Sequence, residues 1–142
     1  MASPLKIRKK ARQLLMQALY QWQMTEADLL SIQEQFHQMN DETKYDVTYF
    51  DTLLNKIPKH LSEIDEAFTP YLDRKIHDLN PIELAILRVG TYELLYCLEI
   101  PYRVVLNEAI NLTKEYGSED GHKYVNGVLN KVAREIRENE II

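Results

Sequence analysis

Between Pro81 and Leu98 the chain reads PIELAILRVGTYELLYCL. On a helix of 3.6 residues per turn its apolar side chains point in every direction, with Ile82 and Val89 on one side, Leu87 and Leu94 opposite, and Leu84 and Leu95 between. Only Glu83, Arg88, Thr91 and Glu93 interrupt it. A helix that is apolar all round either spans a membrane or forms the centre of a helical domain. Charged side chains are costly in lipid, so the four polar residues and Gly90 point to a buried core helix rather than a membrane span. Its limits are marked by Asn80 as cap, Pro81 at the first helical position, Glu83 in a capping-box arrangement, and Pro101 beyond the end.

The flanking segments are amphipathic. Ser3 and Pro4 open a helix to about Met24, with Ile7, Ala11, Leu14, Leu15, Ala18 and Trp22 inward and Lys6, Lys9, Gln13, Gln17 and Tyr20 outward. Thr25 with Asp28 opens a second, carrying Leu29, Ile32 and Phe36, and the polar run Asn40 to Asp46 reads as a mobile surface loop. Asp46 caps a third, with Val47, Phe50, Leu53, Leu54 and Ile57 inward, which Pro58 ends or bends. Leu61, Ile64 and Phe68 mark a fourth that closes before Pro70, and residues 71–79 have room for a helical turn. After the core helix, Tyr102 to Tyr116 buries Val105, Ala109, Leu112 and Tyr116, and Gly117 stops it. Ser118 caps the last helix, with Glu119 and Asp120 in its first turn and Val125, Leu129, Val132 and Ile136 inward. Lys123, Gly127, Asn130 and Arg134 lie on the far side, with Tyr124 and Lys131 along an edge. No stretch alternates with period two, so no strand is expected. The pattern predicts an all-α fold: one compact seven-helix domain over residues 1–142, two packed helical bundles around the buried central helix.

Charge changes this picture. The 142 residues carry a net charge of minus 5, but residues 1–25 hold Lys6, Arg8, Lys9, Lys10 and Arg12 and no acid until Glu26. The remainder, with 12 of the 17 bases against all 22 acids, is at minus 10. Five bases near a helix N-terminus oppose the macrodipole, a conflict that a bound phosphate backbone would relieve. An ordinary solvated face accounts for the same bases equally well. Gly127, inside a helix on an outward face, would let a partner approach closely.

The chemistry of catalysis is missing from the pattern. His37, His60, His77 and His122 have no spacing that puts two on one turn, and Cys97 is the only cysteine, so neither a metal site nor any other cofactor is expected. There is no glycine-rich phosphate loop, nucleophile elbow or dinucleotide fingerprint. The basic start is followed by an amphipathic rather than a continuous apolar segment, unlike a signal peptide, which suggests a cytoplasmic protein.

Three runs carry a family resemblance: VLNEAINLTKEYGSEDGHKYVNGVLNKVARE from Val105 to Glu135, the N-terminal KIRKKARQLLMQALYQWQM, and NPIELAILRVGTYELLY. Together they resemble the NusB family of bacterial transcription antitermination factors over nearly the whole chain. The resemblance implies a non-enzymatic, all-α RNA-binding protein. Its partners would be the small-subunit ribosomal protein NusE, single-stranded boxA RNA in nascent ribosomal transcripts, and an antitermination complex on RNA polymerase. It places RNA contacts at Lys6, Arg8, Lys9, Lys10, Arg12 and Gln13, and at Lys123, Tyr124, Gly127 and Asn130, the two groups forming one surface. It places Tyr20 and Glu83 near NusE; Glu83 also has the capping-box explanation. Without the resemblance, Tyr124 and Lys123 would read as a packed tyrosine beside a solvated lysine. Three other readings stand beside this one: a helical module whose main task is protein docking, an appendage of a ribosomal RNA methyltransferase, and a homodimer that hides the RNA surface.

Overall fold

The computed structural model describes residues 3–140. Ser3 is in extended backbone and its hydroxyl accepts the Lys6 N–H at 3.2 Å, so that Pro4 opens α1 (Pro4–Thr25) as the pattern requires. That helix ends at Glu26, whose backbone is left-handed (φ 54°) and whose N–H donates to the Trp22 carbonyl at 2.8 Å. Thr25 does not open the next helix. Its hydroxyl donates to the Gln21 carbonyl at 2.7 Å, and the cap of α2 (Leu29–Met39) is Asp28, which accepts the Ser31 N–H at 3.2 Å. The polar run Asn40 to Asp46, expected as a mobile loop, is tethered by two residues. Tyr45 is buried edge-on against Phe50, and the Asp46 N–H donates to the Ile7 carbonyl at 3.1 Å. Asp46 also caps α3 (Val47–Lys59), accepting the Tyr49 N–H at 3.0 Å, and Pro58 lies in that helix's last turn.

The described residues divide into two compact units between Lys59 and His60. In the first, α1 packs on α2 and α3, and Leu15, Leu19, Ile32, Phe50, Leu54 and Ile57 are fully buried. The second holds α4 (Leu61–Phe68), 3-10 turns at Thr69–Tyr71 and Ile76–Asp78, α5 (Pro81–Tyr96), α6 (Tyr102–Tyr116) and α7 (Gly121–Ile136). Among the described residues there are thus seven α-helices and no strand, the all-α architecture that the hydrophobic pattern predicts.

The expected core helix is α5, and it organises the second unit by packing against α4, α6 and α7. Every residue from Ala85 to Leu94 is buried, including Arg88, Thr91 and Glu93. Burial of charge demands partners. Arg88 meets Asp65 of α4 through two parallel bonds, Nε at 3.0 Å and Nη2 at 2.9 Å. Gly90 lets α7 come close, since a Cβ there would lie 2.9 Å from Leu129 Cδ1. The helix ends at Tyr96, two residues before the expected Leu98, and Arg137 satisfies carbonyls at that end and just beyond it. Its guanidinium donates to the carbonyls of Glu93 (3.1 Å), Leu94 (2.9 Å), Cys97 (3.1 Å) and Ile100 (3.0 Å), and to Glu140 at 2.6 Å. Among the described residues no helix is long and apolar enough to cross a membrane.

Candidate nucleic-acid interface

The basic arm on α1 is two faces, not one. Arg8, Ala11, Arg12, Leu15 and Leu19 follow one another at helical spacing, so both arginines share the side that faces α3. Arg12 is only 5% exposed, with its guanidinium 5.7 Å from the Tyr49 ring centroid. Arg8 lies 4.2 Å from the same centroid and donates from Nε to Asp46 at 3.1 Å. Arg12, expected at the RNA surface, has its guanidinium buried beside an aromatic ring inside the first unit. Sequence periodicity carried a signal for this, since Arg12 follows Ala11 on the buried stripe. Lys6, Lys9, Lys10 and Gln13 fall at i, i+3, i+4 and i+7 and form the second face; Lys6 and Lys9 are exposed, Lys10 and Gln13 half-buried. No acid occupies the first turn.

Tyr20 is half-buried at the wall of a groove of about 470 Å³ between α1 and α2. Leu14, Phe36, Met24 and Met39 also line it, and the last two are 56% and 71% exposed.

In the second unit, Lys123, Tyr124, Gly127 and Asn130 lie at i, i+1, i+4 and i+7 along α7. Lys123 is exposed, 3.7 Å from Asp120. A Cβ at Gly127 would meet nothing within 4 Å, so the outward opening expected there is present. Tyr124 is neither a free platform nor a tyrosine packed only in apolar surroundings. Its hydroxyl accepts the Asp73 N–H at 3.2 Å, and the Arg74 guanidinium sits 4.8 Å from its ring centroid. Burial is the main cause that pushes its hydroxyl pKa up. Arg74 donates to the Asp73 carboxylate from Nε at 2.6 Å and Nη2 at 3.1 Å, and this holds the Asp73 carboxyl below the ordinary range. Sequence reading missed this pair because the segment from Tyr71 to Leu79 has no periodicity that would place it beside α7.

Glu83 has a different partner from the one its position suggested. Asn80 caps α5 by accepting the Ile82 and Glu83 N–H groups at 2.9 and 3.3 Å, but Glu83 does not complete a capping box. Its carboxylate instead accepts the Ser118 N–H at 2.8 Å and the Ser118 hydroxyl at 2.7 Å. Gly117 and Gly121 make room for it, since a Cβ at Gly117 would lie 3.0 Å from Oε2 and one at Gly121 would lie 2.7 Å from Cδ. Ser118 is consequently not the cap of α7. That position falls to Asp120, which makes no side-chain cap bond, and the helix gains a buried negative group near its N-terminus instead. Glu83 is 5% exposed, so its carboxylate is buried in this turn.

Comparison with known proteins agrees with this architecture. The NusB family model matches residues 9–134. The chain is 49% identical over 134 residues to the transcription antitermination protein NusB of Legionella pneumophila strain Corby, covering 94% of this chain and 91% of that one. Against the NusB of Pseudomonas fluorescens strain Pf0-1 it is 52% identical, covering 94% and 81%. The solved structure of Thermotoga maritima NusB superimposes with a TM-score of 0.82 at 31% identity, covering 99% of each chain. A crystal structure of antitermination factors NusB and NusE in complex with dsRNA gives a TM-score of 0.75 at 26% identity, covering 89% of this chain and 96% of that one. With a family model matching residues 9–134, a relative 49% identical over 94% of the chain, and a solved NusB structure that superimposes over 99% of it, the chain belongs to the NusB family.

Proposed function

We propose that the protein is a non-catalytic RNA-binding transcription antitermination factor of the bacterial cytoplasm. It pairs with NusE, binds boxA in nascent ribosomal RNA, and joins an antitermination complex on RNA polymerase. The observation that carries this reading is the stripe of Lys6, Lys9, Lys10 and Gln13 along the first turns of α1, with no acid among them. It is supported by family membership and by the neighbouring structure of NusB and NusE with RNA. Lys123, Tyr124, Gly127 and Asn130 form a second contact face, where an aromatic meets an unpaired base and a lysine meets phosphate. Arg12 and Glu83 act by positioning: Arg12 seats the arm on Tyr49, and Glu83 shapes the α6–α7 turn that carries Lys123 and Tyr124. Tyr20 remains the proposed NusE contact, now as part of the α1–α2 groove. The acidic remainder of the chain repels RNA at long range, so affinity and selectivity rise when NusE is present.

The test is fluorescence anisotropy with labelled single-stranded boxA RNA, a scrambled strand and a boxA duplex, with and without NusE, at two salt concentrations. Tighter binding to boxA, strengthened by NusE and weakened by Lys9→Glu and Tyr124→Ala, is the expected result. Equal weak binding to all three RNAs with no effect of NusE would refute it. A preference for the duplex would retain the RNA function and replace the single-strand mode.

A further inference from the structure

We infer that Arg74 is an RNA-contacting residue, the outer layer of a stack in which an unpaired base lies on a guanidinium already seated on Tyr124. This deepens the RNA reading of α7 and rests on it. Two independent contacts tie residues 73 and 74 to one tyrosine: the Asp73 N–H on its hydroxyl at 3.2 Å and the Arg74 guanidinium 4.8 Å from its ring centroid. A base approaching that side of Tyr124 therefore meets Arg74 first. The side chain of Arg74 is 48% exposed, so a planar group remains open above the ring it covers.

Its orientation is set by the two-bonded pair with Asp73. A pair between adjacent exposed residues contributes little to stability. What it does accomplish is to hold the guanidinium over Tyr124, with Cζ 4.8 Å from the ring centroid. Guanidinium planes and aromatic rings both stack on unpaired bases, and they do so with little sequence demand.

The local charge favours stacking over simple phosphate attraction. Arg74, Lys75 and Lys123 are offset by Asp73, Asp78 and Asp120, all exposed; Lys123 stands 3.7 Å from Asp120, and His77 stands 3.8 Å from Asp78. Electrostatics alone would give such a balanced patch little hold on a polyanion, whereas the stripe on α1 has no offsetting acid in its first turn.

The experiment uses the full chain with NusE and the same boxA strand, comparing Arg74→Ala, Arg74→Lys, Tyr124→Ala, Lys123→Ala and the Arg74→Ala/Tyr124→Ala pair, each checked for helicity by circular dichroism. Loss of one stacked base corresponds to about a tenfold weakening. Arg74→Lys should lose as much as Arg74→Ala, although it keeps the charge, and the double variant should be no weaker than the worse single one. A boxA strand carrying one abasic nucleotide at the stacked position should bind the unaltered protein about as weakly as boxA binds Arg74→Ala, and should show no further loss with that variant. Arg74→Lys that binds like the unaltered protein would overturn stacking. An unaffected Arg74→Ala beside weakened Lys123→Ala and Tyr124→Ala would remove Arg74 from the site while leaving the RNA reading intact. Arg74→Ala that weakens NusE binding but not RNA binding would make it a protein contact. Indifference of every variant, together with no preference for boxA, would defeat both readings.

Discussion

The two units bury their charges differently. Among the described residues the first unit buries one charged side chain, Arg12, whereas the second buries Glu83, Arg88, Glu93 and Arg137. The first is therefore an amphipathic assembly in which size and apolarity do most of the specifying, a kind of core that tolerates substitution when volume is kept. The second depends on polar partners that fit in one arrangement, because a buried charge without its partner costs far more than a methyl group misplaced. The difference extends to the two candidate RNA faces. The α1 stripe is charge on a regular helix, while the α7 face is a tyrosine held by a neighbouring loop.

The largest test of this contrast is Arg137→Ala. It strips hydrogen bonds from four carbonyls, two in the last turn of α5 and two just beyond it, and should lower unfolding free energy by about 3 kcal/mol or more in urea titration. Arg137→Lys should recover only a minor part, since an ammonium cannot span four acceptors. A loss under about 1 kcal/mol for Arg137→Ala would erase the distinction between the units.

Two glycines on α7 sharpen it next. Gly121→Ala drives a methyl into the Glu83 carboxylate and should cost about 1–3 kcal/mol, whereas Gly127→Ala meets open space and should add up to about 1 kcal/mol of helix stability. Thermal melts of the pair read out opposite signs. If an added methyl at Gly127 weakens RNA binding while raising the melting temperature, the outward gap serves a partner.

Within the first unit, Arg12→Ala should lower stability by about 1–2 kcal/mol through loss of its place at Tyr49. Lys9→Ala should leave the melting temperature unchanged and flatten the dependence of RNA affinity on salt by about one phosphate contact. The reverse outcome, a stable Arg12→Ala protein with weakened RNA binding, would place Arg12 on the RNA surface.

The smallest expected effect is on pH. The Tyr102 N–H bond, then the Arg137 guanidinium, holds the Glu140 carboxyl below its ordinary value. Its contribution is thus fully present above that ordinary value and is lost as pH falls through the lowered one. Glu140→Gln should leave a shallower acid limb in a plot of stability against pH. An unchanged acid limb would mean that this carboxylate contributes nothing to folding.

The hydrophobic pattern was sufficient for the helices and for most of their ends, because a 3.6-residue period and a cap are local properties. Ser3, Asp46 and Asn80 cap as their positions imply. It failed where a side chain had two uses. Thr25 could have opened a helix but closes one, and Glu83 could have bonded back to its own first turn but reaches Ser118 instead, because two glycines 34 and 38 residues later leave the space. Arg12 was legible from its place on the stripe of Ala11 and Leu15. Arg74 was not, since nothing near it in the chain announces Tyr124.

What the amino-acid sequence by itself determined, then, is the helical class, the buried character of α5, the lopsided charge of the first turns, and the family. Each of these is carried by local periodicity or by a contiguous run of residues. Which carboxylate is consumed in shaping a turn and which loop lies over Tyr124 were decided by tertiary structure alone. A buried polar group takes whatever partner the packed chain brings within about 3 Å, and the distance along the chain to that partner carries no weight.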